Sequence, residues 1–291
     1  MGYLVAYVVR GMREQVDRLI EKGSIDKLAA VLGGAGVEDF RYVSKRLSDQ
    51  LENGKLLKQT ERLARRKDAP SRHLACQMIP YAYPENRDRA FEILTRLAKD
   101  GDWTLRDACA GVAGRLLCTD FSRTLERLRP WTQSDAVGLR RSVVIAAIRA
   151  SKPNRLERAE PLLKLLEPLL EDDDAQLRKN LGPSALAIHL LRDYPVLTFE
   201  YLVRWSTSDT PQVLWNVAMA FSGPPAAPIV KKALIVLRKI SLDERRFVWR
   251  AVSSAMWKLG RRRPEIVRPE LGRWLDDERR ADVAREALKH L

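Results

Sequence analysis

Histidine and cysteine are scarce in this 291-residue chain, three of each, and that scarcity removes two kinds of chemistry. His73, His189 and His290 are too scattered for a metal site of recognisable spacing. Cys76, Cys109 and Cys118 are odd in number and sit inside apolar helical patterns. They read as reduced core thiols of a cytosolic protein, not as a disulfide framework. No segment shows the period-two alternation of a strand, and the hairpin dipeptides are absent. Long hydrophobic runs are missing as well. The opening Tyr3–Val9 stretch is apolar but short, carries no cleavage site and is closed by Arg10, so it reads as a capping helix. Acidic residues are in deficit, 38 against 52 Lys and Arg, for a net charge of +14. Such an excess favours a polyanionic partner, nucleic acid ahead of an anionic membrane surface. The bland alternative is a merely soluble basic protein.

What is present, almost everywhere, is apolar residues at three- and four-residue spacing, broken by Gly, Pro, Asp or Asn. Phe91, Ile93, Leu94 and Leu97 make one such face, and the leucines between Leu162 and Leu170 make another. A second regularity lies on top of this one. An apolar residue near a helix start, accompanied by basic residues, recurs at Leu74, Leu105, Leu139, Leu177, Val213, Val248 and Val283. The intervals are 31, 34, 38, 36, 35 and 35 residues. A period in that range, filled with helical pattern, marks a stack of helix pairs. The expected pairs run roughly 86–100 with 103–118, 121–132 with 137–151, 156–171 with 175–193, 196–207 with 211–222, 226–240 with 244–260, and 265–276 with 280–291. The fold class this implies is all-α: a right-handed α-α superhelix, or repeat solenoid, forming a curved rod with a basic concave face. Gly223-Pro224-Pro225 is the strongest break, so residues 1–223 are separated from additional repeats at 224–291.

In such a stack the N-termini of the second helices lie in a row. Their unpaired N–H groups and partial positive charge suit phosphate oxygens. Arg106, Arg140, Arg141, Arg178, Lys179, Arg245 and Arg246 fall in or beside those first turns. A cation there opposes the helix dipole at a cost of about 0.3–1 kcal/mol where exposed. An anion bound between helix ends is the simplest compensation. Pairing with acidic loops such as Glu171–Asp174 is the structural alternative.

One repeat departs from its neighbours by carrying Trp103 and Asp107, four apart, and the next supplies Arg141. Here the residues resemble a known family. Asp102-Trp103-Thr104-Leu105-Arg106-Asp107 looks like the Trp-x-x-x-Asp element of the AlkD-type alkylpurine DNA glycosylases, which are HEAT-like helical solenoids. Pro130–Ile145 is similar to that family's segment bearing its active-site arginine. Leu177-Arg178-Lys179-Asn180-Leu181-Gly182 resembles the opening of its next helix. The resemblance covers roughly residues 60–220 and is densest over 99–145 and 175–183. Two positions depart from it. Pro183 stands where the family's second aromatic wall is expected, and Thr104 stands where its best-known member is acidic. Either Trp131 or Trp215 takes over as the missing aromatic, or the cleft is altered. Trp205, Trp249, Trp257 and Trp274 read as packing residues, and Arg261-Arg262-Arg263 as a solvated helix end.

The resemblance implies excision of N3- or N7-alkylated purines from duplex DNA, alkylated or otherwise distorted. Asp107 and Trp103 would be catalytic, and Arg141 would hold the lesion's phosphate, with Arg140, Arg106, Arg178 and Lys179 as further backbone contacts. A purine already cationic needs no protonation to leave, so neither metal nor cofactor is called for. The expected protein is monomeric and cytoplasmic, or nucleoid-associated if bacterial, with no membrane partner. Two alternatives remain: a non-catalytic module of the same fold binding DNA or RNA by backbone shape, and a protein–protein scaffold of the HEAT type.

Overall fold

In the computed structural model, the backbone of residues 2–52 and 54–291 and the side chains of 11–52 and 54–291 are described. Among the described residues every regular element is helical. The second helices of the pairs begin at Ala69, Trp103, Val137, Ala175, Pro211, Arg246 and Ala281. Contacts divide the chain into two compact units, Met1–Thr119 and Asp120–Leu291. The break at Gly223 therefore lies inside the second unit.

In the first unit, Gly2–Glu21, Val37–Gln50 and Lys55–Ala64 lead into Ala69–Ala82 and then the pair Arg87–Leu97 and Trp103–Thr119. The helix of the capping expectation, Gly2–Glu21, is present, but the side chains of its first residues lie outside the described set. Ala69–Ala82 packs against Trp103–Thr119, so second helix lies on second helix. In the second unit the same relation runs on from Val137–Ala150 through the helix opening at Ala175, Pro211–Ala220 and Arg246–Arg262 to Ala281–Leu288. Each unit is thus a stack of helix pairs, and the fold is an α-helical repeat solenoid.

The core follows the sequence pattern. Phe91, Ile93, Leu94 and Leu97 are buried, as are Leu162, Leu163, Leu165, Leu166, Leu169 and Leu170. Cys76 and Cys109 are buried thiols with sulfurs 3.5 Å apart, and Cys118 is half-buried. Burial, then the hydrogen bond to Cys76, pushes the Cys109 thiol well above its ordinary range. That suits an unreactive core residue.

The first repeat is registered differently from the apolar anchor. Ala69 and Trp103 open helices 34 residues apart, as do Trp103 and Val137. The residue equivalent to Leu105 and Leu139 is therefore the buried Ser71, not Leu74. Polar features carry this equivalence. Asp68 caps its helix by accepting the Ser71 N–H, and Asp102, 34 residues on, accepts the Thr104 N–H, one position nearer the helix start.

The helix opening at Ala175 is α-helical over Ala175–Asn180, then π-helical over Leu181–Leu190, and closes with Leu191–Asp193. The cause is local. The Gly182 N–H donates to Asn216 Oδ1 at 3.2 Å, outside its own helix, and Pro183 has no N–H to give. Two consecutive residues thus drop out of the α ladder, and the wider turns absorb the defect. Asn216, fully buried, also donates to the Leu170 and Gln212 carbonyls at 2.9 and 3.1 Å.

Candidate functional site

Trp103 opens its helix with its side chain 69% exposed, an unusual position for an indole. Asp107, one turn on, is exposed on the same face. The other faces of the helix are spent on packing, through Leu105, Cys109, Ala110, Val112 and Ala113. One further turn brings Gly111, where an added Cβ would meet nothing within 4 Å. An indole, a carboxylate and open space therefore follow one another along a single helix face. Trp103 is therefore not a core residue.

The approach to Trp103 is fixed by a small polar cluster. Asp102 accepts the Thr104 N–H at 2.9 Å and its hydroxyl at 2.7 Å, while His73 Nε2 lies 3.0 Å from Thr104 Oγ1. The Thr104 hydroxyl holds the Asp102 carboxyl below the ordinary carboxylate value, with the backbone N–H and His73 adding to it against burial. Among the described residues no group of three or more His, Cys, Asp or Glu could hold a metal ion. No single described helix is long and apolar enough to cross a membrane.

The expected phosphate contacts divide into three groups. Arg106 donates from Nη1 to the Asp100 and Gly101 carbonyls, both at 2.8 Å. Arg140 does the same to the Ser134 and Asp135 carbonyls at 2.8 and 3.2 Å, and pairs through Nε with Asp172 at 2.5 Å. Arg72 repeats the device on the Arg66 and Lys67 carbonyls and pairs with Asp100. These arginines reach back to carbonyls just beyond the preceding helix or 3-10 turn, groups left without intrahelical partners. That bracing supplies the compensation that a bound anion was expected to give. Arg178 is different again: its guanidinium lies 5.7 Å from the Trp215 ring centre and 5.2 Å from that of Phe247. Arg141 is half-buried and Lys179 exposed, and both hold the register of Asp107, two residues beyond the apolar anchor of the repeat. Trp215 and Arg250 occupy that register in later repeats.

Of the two aromatics considered as replacements at the Pro183 position, Trp131 is sealed at 4% exposure, whereas Trp215 borders open space. Trp205 and Trp274 are buried, and the Glu167 and Glu270 carboxylates accept their indole N–H groups. The cleft beside Trp215 was not legible from the repeat spacing. Its signal was an aromatic at 215 in the register that carries charge at 107, 141 and 179.

A model of the DNA alkylation repair enzyme family matches residues 28–188. No curated protein matches. Among solved structures, smu.31 from Streptococcus mutans UA159 is 12% identical, with 95% of this chain and 97% of that one covered at a TM-score of 0.34. The family match takes in more than half of the residues, with Trp103, Asp107, Arg141 and Gly182 all inside it, and the chain belongs to the DNA alkylation repair enzyme family, whose partner is DNA.

Proposed function

We propose that the chain is a DNA N-glycosylase that releases cationic N3- or N7-alkylpurines from duplex DNA. The supporting observation is the exposed indole of Trp103 one turn before the exposed carboxylate of Asp107, with clear space above Gly111. Chemistry follows from charge. When the C1′–N bond of an alkylated purine breaks, its electron pair passes to the cationic base, which leaves neutral. The sugar becomes an oxocarbenium ion. A carboxylate aimed at that ion stabilises it and orients the water whose oxygen then bonds to C1′, while the water's proton passes to the carboxylate or to solvent. The indole face adds cation–π attraction of about 0.5–2 kcal/mol, depending on desolvation. Arg141 and Lys179 supply phosphate contacts in this reading, while Arg106 and Arg140 act through bracing.

Single-turnover release of N7-methylguanine from duplex DNA tests it. Replacing Asp107 by Asn should slow release by about 100-fold or more, the scale of removing one preorganised electrostatic stabiliser, with DNA affinity nearly unchanged. Equal release by variant and wild type removes Asp107 from the mechanism.

A second reading, a DNA-binding module without excision, is favoured by one observation. The family's second aromatic position is taken by Pro183, within the π-helical segment. Tight binding of lesion duplex by wild-type protein that releases no base would establish it.

A further inference from the structure

On the second unit, three individually unfavourable arrangements meet at one surface. Arg246 and Arg250 stand four residues apart on the same helix and are both exposed, a like-charge pair that weakens a helix. Arg246 also lies in the first turn, where a cation opposes the dipole. Beside them Phe247, 38% exposed, stacks on the half-buried Trp215, with ring centres 5.8 Å apart and planes inclined by 14°. These residues, with Met219, Ala251 and Ser254, line a solvent-open cleft of about 500 Å³. That volume falls within the range of small-ligand sites.

Charge and surroundings narrow what such a cleft holds. Among the described residues none that lines it is acidic. Asp243 is taken by Arg245, which also donates to the Asp209 carbonyl at 2.9 Å, and the Glu286 carboxylate, close enough to feel the charge of Arg250, is paired with Lys289. Arg178 supports the aromatic pair, and Asn216 anchors the helix of Trp215 from the buried side. An aromatic platform held in place and flanked by cations one helical turn apart is the means by which proteins grip unstacked bases and the backbone joining them.

We propose that this cleft binds one unpaired nucleotide of a DNA strand, its base against Trp215 and Phe247 and its flanking phosphates on Arg246 and Arg250. The opening to solvent lets the strand continue in both directions, which favours a strand over a free nucleotide. The proposal rests on DNA being the partner and not on excision at Asp107.

The test is fluorescence anisotropy of the full chain with a labelled oligothymidylate and with a labelled hairpin duplex. Trp215→Ala should weaken binding of the single strand roughly ten-fold, while Trp215→Phe, which keeps a ring, should stay within about two-fold of wild type. Arg250→Glu should weaken single-strand binding and make it less salt-dependent, by about 0.7 in the log–log slope. Affinity for the hairpin duplex should hold in both Trp215 variants. Four results overturn the proposal: undiminished single-strand binding by Trp215→Ala; an equal loss on the hairpin, which would indicate general damage; tighter binding of oligouridylate than of oligothymidylate; or competition by thymidine monophosphate as effective as that by the strand. Base release from lesion duplex is measured on the same preparations. Single-strand binding that depends on Trp215, with no release by wild type, leaves the cleft standing and removes the glycosylase reading. The converse result separates them the other way.

Discussion

A residue's place in the repeat register, more than its type, decides its use. Arg140 and Arg141 are neighbours in sequence, yet the first is tied to carbonyls and Asp172 while the second stands in the register of Asp107. Arg140→Ala should therefore lower stability by about 1–3 kcal/mol, because Asp172 and two carbonyls lose a charged donor, and leave DNA affinity close to wild type. Arg141→Ala should weaken DNA binding, and paired denaturant melts and DNA titrations read both variants. Asp102 adds a pH signature. The Thr104 hydroxyl chiefly depresses its carboxyl, so the capping stabilisation is complete above the ordinary value of 3.8 and is lost as pH falls through the lower value of the folded state. Asp102→Ala should cost about 1 kcal/mol at neutral pH, and the gap in Tm between variant and wild type should narrow at pH 3. A gap of constant width would remove the carboxylate from the cap. Gly111 gives a steric version of the same logic. Leucine there gains helix propensity but fills the space next to Asp107. Melting should therefore hold or rise while base release falls.

The elements themselves were nearly all legible, because helical periodicity, the acidic caps and the Gly and Pro breaks agree with one another. Pairs expected at 86–100 with 103–118 and 196–207 with 211–222 are found as Arg87–Leu97 with Trp103–Thr119 and Pro195–Trp205 with Pro211–Ala220. The register of the first repeat was hidden because it is carried by the Asp68 cap and the Arg72 brace around a buried serine, and apolar spacing does not see those. The face shared by Trp103 and Asp107 could be read from four-residue spacing, but the bracing of Arg106 and Arg140 could not. Backbone acceptors leave no trace in side-chain pattern. The π-helical segment was hidden for a similar reason, since its cause is a contact between Gly182 and Asn216 across 34 residues. That contact is testable. A Cβ on Gly182 would lie 2.8 Å from Asn216 Oδ1 and 3.0 Å from its carbonyl oxygen. Gly182→Ala should cost about 1–3 kcal/mol through overpacking. Asn216→Ala, which strands the Gly182 N–H and the Leu170 carbonyl, should cost about 2–3 kcal/mol in a chemical melt.

At the scale of the molecule, the question is whether the charge of +14 acts as a diffuse field or through a few placed cations. The pairing of Arg72, Arg140, Arg192, Arg204, Arg238 and Arg280 with carboxylates argues for the latter, since those charges are already met within the protein. The repeat register of Asp107 holds Arg141, Lys179 and Arg250, with Arg246 one turn before Arg250. Four phosphate contacts on duplex DNA would release counterions with a log–log salt slope of about −3.6. A field of fourteen charges acting together would give a slope near −13 by the same rule. Titration of a lesion-free duplex across a range of salt should therefore give a slope between about −3 and −5. Arg141→Ala and Lys179→Ala should each make it shallower by about 0.9, whereas Arg140→Ala should leave it where it is. A steep slope insensitive to Arg141 and Lys179 would mean that DNA is held by the general basicity of the chain, and the placed register would lose its role in binding.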